Sequence, residues 1–195
     1  MHEIRTERLL LRKAREDDLD AIHSLLSNPE ATTYWYEPPH STMQQSKEWL
    51  FSMIQISEQT GEDFIVEHEG RVIGKAGFHA FPLIGFIFHP DSWGRGFARE
   101  ALAAVIQRAF EAHELPFIDA DVDPRNQRSL RLLRSLHFRE FGREERTWNV
   151  GGEWCDSVYL RLSRTWDVEN ASDVADTSVT ALHRHDGVER HLHHD

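Results

Sequence analysis

The chain has 195 residues, 39% of them hydrophobic and 28% charged, with a formal net charge of −11. That suits one domain of ordinary size with material for a core, and the acidic balance excludes a general nucleic-acid binder, which needs a basic surface. No apolar run approaches the roughly 20 residues that span a bilayer, so no membrane partner is expected, and the lone Cys155 fits a reducing, cytoplasmic setting.

The opening MHEIRTERLLLRKA breaks its apolar stretch with charge at once and does not read as a signal peptide. Within it, 8–14 reads as a first strand. A helix follows over REDDLDAIHSLLSN, with Leu19, Ile22, Leu25 and Leu26 on one face and acids in its first turn. TTYWYEPPH is a loop dense in aromatics and proline, and Ser41 is placed as the N-cap of a second helix ending near Thr60-Gly61. Two β-rich runs around a Glu-Gly turn predict a hairpin over 62–80, and PLIGFIFHP predicts a buried strand. A long helix with Ala98, Ala101, Leu102, Val105, Ile106, Ala109 and Phe110 as its apolar stripe comes next. FIDADVD alternates as a strand, RNQRSLRLLRSL is a helix, and two strands around Gly151-Gly152 close the domain. The expected order is βααβββαβαββ, a mixed α/β domain over 1–166. Residues 167–195 hold seven acids, two arginines and no aromatic residue, and read as a disordered or loosely docked acidic tail. The tail histidines His183, His185, His191, His193 and His194 lack the rigid spacing of metal ligands, so no metal is expected.

The stretch DSWGRGFAREALAAVIQRAF places Gly94, Gly96 and Ala98 between a buried strand and a helix. The first helical turn leaves backbone N–H groups unpartnered at the positive end of the helix dipole, which suits an anion. The small residues let a pyrophosphate approach the backbone, and Arg95 and Arg99 add charge. A plain strand–turn–helix explains the same glycines equally well. A dinucleotide fingerprint needs a third glycine where Arg99 stands, and a Walker loop needs Gly-Lys-Ser/Thr; both are absent.

The segment WGRGFAREA resembles the acyl-CoA pyrophosphate loop, Q/R-x-x-G-x-G/A, of the GCN5-related N-acetyltransferase superfamily, with Trp93 departing at the first position as in its ribosomal-protein-alanine N-acetyltransferase-like branch. TERLLLRKAREDDLDAI resembles that branch's opening strand and helix, DVDPRNQRSLRLLRSLHF its N-x-x-S helix (with His137 where Gly is usual), and EWCDSVYLRLSRTW its last strand. The likeness covers about residues 4–166. It implies the GNAT fold: a central, mostly antiparallel mixed sheet of about seven strands with helices on both faces. It also implies acetyl-CoA as co-substrate and a primary amine as acceptor, a protein N-terminus or a small molecule, with a homodimer left open.

Carried over residue by residue, the resemblance assigns Trp93, Gly94, Arg95, Gly96, Phe97, Ala98 and Arg99 to the pyrophosphate, and strand 82–89, Phe88 included, to the pantetheine arm. Asn126 would orient the cofactor's thiol end, Ser129 would protonate the leaving thiolate, and Arg131 would reach the terminal phosphate. The family's catalytic glutamate falls on Leu83, which leaves His79, Asp119 and Asp121, or a water chain, as candidate bases. Helix capping explains Asn126 and Ser129 as well, and Asp119 and Asp121 alternate with apolar residues as carboxylates that face solvent or satisfy arginines do. Tyr34, Trp35 and Tyr36 would wall the acceptor site or staple their loop to the core. A non-catalytic acyl-CoA-binding module is the alternative that Leu83 raises.

Overall fold

The computed structural model describes residues 3–164; the expected tail lies outside them. Eight strands form one sheet, β1 (Ile4–Arg5), β2 (Leu9–Arg12), β3 (Glu62–His68), β4 (Arg71–Ala80), β5 (Leu83–Phe88), β6 (Phe117–Val122), β7 (Arg139–Val150) and β8 (Glu153–Ser163). Their spatial order is β1-β2-β3-β4-β5-β6-β8-β7. Four α-helices accompany them: α1 (Leu19–Leu26), α2 (Met43–Ile54), α3 (Phe97–Ala112) and α4 (Gln127–Ser135). The GNAT architecture is borne out. The strand count differs by one, because the expected first strand is preceded by β1, which folds back antiparallel on β2.

Period-two alternation sorts the sheet's side chains between two cores. Phe64, Val66, Ala76, Phe78, Ile84, Phe88, Ile118, Ala120 and Val122 meet Ala101, Leu102, Val105 and Leu133 from α3 and α4. On the opposite face Ile65 and Ile87 meet Ile22, Leu25, Leu26, Leu50 and Met53 from α1 and α2. The second helix departs from expectation at both ends. Thr42, not Ser41, is its N-cap, because Thr42 Oγ1 accepts from Gln45 N while the Gln45 side chain accepts from Thr42 N, a reciprocal box that needs Gln three residues on. Its last helical residue is Ile54, and the chain then turns through residues 55–61.

His137, at the glycine position of the family pattern, takes a left-handed φ of 69°. Phe138 N donates to Leu133 O at 3.1 Å and His137 N to Arg134 O at 3.0 Å, the bonds that close a helix through a left-handed residue.

Every strand junction is antiparallel except β5–β6. That parallel pair is registered only at Leu83↔Asp119, where Asp119 N donates to Pro82 O at 3.0 Å. Beyond it β5 is laddered to β4 and β6 to β8. The sheet therefore opens toward the C-terminal ends of two parallel strands, where ligands of α/β sheets bind.

Candidate active site

One rim of the opening is the turn from β5 into α3. Gly96 caps α3 with φ 81°, and Gly94 has φ 72° with nothing within 4 Å of where a side chain would stand. Both conformations are costly for residues with a Cβ. The first N–H groups of α3 have no intrahelical partner and border that open space. Trp93 Nε1 donates to Phe88 O at 2.8 Å, and the Arg128 guanidinium lies 4.6 Å over the Trp93 ring. Trp93 thus links the loop to α4. Phe88 and Phe97 are core side chains, so only their backbone can face the opening.

Arg8, which the sequence does not single out, clamps this loop from β2's approach. Its Nη1 donates to Arg95 O at 2.9 Å, its Nε to Glu100 Oε2 at 2.7 Å, and its guanidinium lies 4.7 Å from the Phe97 ring centroid. Thr6 Oγ1 also donates to Glu100 Oε1 at 2.6 Å. Burial pushes the Glu100 carboxyl up, but the bonds from Thr6 and Arg8 outweigh it and hold it below the usual glutamate range.

Across the opening stands α4. Asn126 Oδ1 accepts from Ser129 N at 3.1 Å, so Asn126 does cap the helix, with its amide nitrogen still available. Ser129 sits half-buried in the first turn. Arg131 is exposed one turn further on, whereas Arg128 is the arginine that reaches the glycine loop.

The α1/α2 face of the opening is lined from distant segments. Trp148 Nε1 donates to Asp121 Oδ2 at 2.8 Å. Trp148 lies 6.4 Å from Tyr36, and Tyr36 lies 4.9 Å from Trp35, between ring centroids. Tyr36 Oη accepts from Trp49 Nε1 at 2.7 Å. Burial of the hydroxyl, reinforced by the Glu37 charge, raises the Tyr36 phenol above its ordinary value. Burial, then the Asp121 charge, pushes Tyr159 up to about 12. Both phenols therefore stay protonated near neutral pH and serve as hydrogen-bond groups, not bases. Tyr34 lies under Arg125, 5.9 Å away, and Arg125 is itself held by Asp123 and Glu153.

Of the candidate bases, Asp119 is committed to Arg161, through bonds of 2.7 and 2.8 Å. Asp121 is the carboxylate on the aromatic side. His79 is exposed in the bulge between Gly77 and Ala80, where the β4–β5 turn begins, away from the strand ends that carry the glycine loop. Burial raises the Cys155 thiol above its usual value, so it is not an activated nucleophile. Trp148, Tyr159, Arg8 and a buried Asp63–Lys75 pair were not legible as site residues; each meets its partners only through strand register or a chain reversal.

A family model described as acetyltransferase (GNAT) domain matches residues 8–139. The chain is 34% identical over 152 residues to an uncharacterized N-acetyltransferase, p20, of Bacillus licheniformis, spanning 73% of this chain and 85% of that protein. In structure it matches an acetyltransferase (GNAT family) from Bacillus anthracis with a TM-score of 0.73 at 26% identity, over 83% of this chain and 98% of that one. It also matches a ribosomal L7/L12 alpha-N-protein acetyltransferase in complex with coenzyme A, with a TM-score of 0.74 at 18% identity, over 83% and 98% of the two chains.

Proposed function

The chain belongs to the acetyltransferase (GNAT) family and is an N-acetyltransferase, and from that premise we propose that it carries acetyl from acetyl-CoA to a primary amine by direct attack in a ternary complex. The observation that carries this reading is the β5–β6 junction, registered once and then open, with a helix N-terminus on one rim. The residues present fit the co-substrate. Unpartnered N–H groups at Gly96–Arg99 and the open space at Gly94 suit a pyrophosphate. Arg8, Arg95, Arg99 and Arg128 supply charge around it, and the free edge of β5 past Leu83 offers main-chain groups to an extended arm. When bound, acetyl-CoA supplies an acyl carbonyl activated as a thioester.

The chain's own residues do the rest. Main-chain N–H groups bind and orient the phosphates. Asn126 positions the thiol end, and Ser129 is the hydroxyl nearest the start of α4 for returning a proton to sulfur. Tyr36, Trp35 and Trp148, with Asp121, shape the acceptor side and exclude water from it. Acids on that side and the net charge of −11 favour a cationic amine. A protein N-terminus is the acceptor favoured by the L7/L12-acetylating neighbour, with small amines as the alternative. The single cysteine and the use of acetyl-CoA support a cytoplasmic setting.

Thermal shift with acetyl-CoA, followed by thiol release over a panel of peptides and small amines, tests the reading. Stabilisation with turnover on at least one amine is expected. No binding of acetyl-CoA overturns it. Binding without turnover on any amine favours a non-catalytic acyl-CoA-binding module.

A further inference from the structure

Beneath the aromatic loop, the α1/α2 face of the sheet carries a buried ion pair that the fold alone does not explain. Lys75 Nζ lies 2.7 Å from Asp63 Oδ2, with side chains 4% and 2% exposed. The pair lies over two glycines that face each other in register, Gly77 and Gly85. Asp63 Oδ1 is 2.8 Å from where a Cβ on Gly77 would stand, and Lys75 Nζ is 3.6 Å from the same point on Gly85. Strand alternation puts Leu83, where the family's glutamate would be, on this same face two residues from Gly85. The roof is Trp35, whose ring lies 5.6 Å from Lys75 Nζ, with the Tyr36 ring 4.9 Å from that of Trp35.

Asp63 Oδ1 is buried and has no hydrogen-bond partner. A carboxylate oxygen withdrawn from water without a donor is costly. Lys75 satisfies only its twin, and Nε1 of Trp35, whose ring lies over Lys75, is buried without a hydrogen-bond partner as well. An orphan acceptor on a floor without side chains, with β4 between it and the open edge of β5, is a place for an N–H donor to arrive.

Resting on the acetyltransferase reading, we propose that Asp63 Oδ1 receives the acceptor's amine and takes its proton, the role that Leu83 cannot fill. The ammonium R–NH3+ and the Asp63 carboxylate become R–NH2 and the carboxylic acid. The freed lone pair forms the C–N bond as the C–S bond breaks and its electrons leave on sulfur. The second nitrogen proton goes to sulfur, and Asp63 releases the first to water. Ammonium and thioester thus yield amide, thiol and one proton. Lys75 holds the carboxylate in place and is a positioning residue.

Asp63→Asn alone leaves Lys75 buried and unpaired, which threatens the fold. The test therefore uses D63N/K75M beside D63N, with the best amine from the panel. The expected result is a thermal transition of D63N/K75M close to wild type, acetyl-CoA affinity within about twofold, and kcat lowered about 100-fold. In the apo protein, that amine raises the melting temperature of the wild type and not of D63N/K75M. Adding Leu83→Glu to D63N/K75M restores kcat at least about tenfold, which no loss of packing would do. A folded D63N/K75M with wild-type kcat, an equal amine-induced shift in both proteins, or no rescue by Leu83→Glu overturns the proposal. The first of these assigns the pair a purely structural role. Absence of wild-type turnover on every amine overturns the transfer reading and this proposal together; wild-type turnover with an unaffected double variant overturns this proposal alone.

Discussion

The two rims of the β5–β6 opening are built on opposite plans. The rim proposed for the cofactor is backbone: two glycines with left-handed φ and the first N–H groups of α3, braced by Arg8 and Glu100. The rim proposed for the acceptor is side chains gathered from β3, β4, β6, β7 and the loop between α1 and α2, namely Asp63, Lys75, Asp121, Trp148, Trp35 and Tyr36. A group common to every reaction of the family can be met by geometry that one contiguous segment encodes. An acceptor that differs between members has to be met by side chains, and each of those can change alone.

That contrast is most easily broken at Gly96. Gly96→Glu forces a side chain into φ 81°, 3.3 Å from Arg8 Nη2, and puts a negative charge at the anion site. Calorimetry with acetyl-CoA should show affinity down by about 100-fold or more. Arg8→Ala removes the donor to the Arg95 carbonyl without touching the glycines, and a loss of about tenfold is expected in the same titration. An unchanged affinity would make the Arg8 clamp irrelevant to the cradle. On the acceptor rim, Trp148→Phe keeps the ring and deletes the bond to Asp121. The acceptor KM should rise about fivefold while acetyl-CoA affinity holds; a change in cofactor affinity would show that the rims are not separable.

The rims also differ in the pH at which they weaken. Glu100 is held below the ordinary glutamate value, so its contribution is complete above that value and is lost as pH falls toward its folded-state value. Tyr159 is raised to about 12, so its contribution is complete below the ordinary tyrosine value and is lost as pH rises from there toward 12. Melting temperature against pH should therefore fall less steeply on its acid limb in Glu100→Gln, with Glu62 still lowered, and less steeply on its alkaline limb in Tyr159→Phe, with Tyr36 still raised. A variant that flattened the opposite limb would contradict these assignments. The smallest effect expected touches neither rim: His137→Gly relieves φ 69° and should add about 0.5–1 kcal/mol in denaturant unfolding, with turnover unchanged.

The same contrast explains what was legible in the sequence. Strands and helices follow from period-two and helical patterns, and the glycine loop is readable because six neighbouring residues carry it. Ser41 and Thr42 offer equal caps until Gln45 is seen to reach back. Phe88 is carried to the pantetheine arm with its strand, and alternation turns its ring into the core, which leaves its backbone for that contact. Asp63 and Lys75 are twelve residues apart in strands where alternating polar residues read as a solvated face, and only the β3–β4 register makes them a pair. Trp148 meets Asp121 27 positions away, across β8. No local spacing encodes such pairs, so the glycine loop was readable and these pairs were not.

A crystal structure of the protein with acetyl-CoA tests the central claim most directly. The expected result is the pyrophosphate on the N–H groups of Gly96–Arg99, with the pantetheine arm laid along the free edge of β5 between β5 and β6. An acetyl-CoA bound elsewhere, with that opening closed by direct β5–β6 pairing, would contradict it.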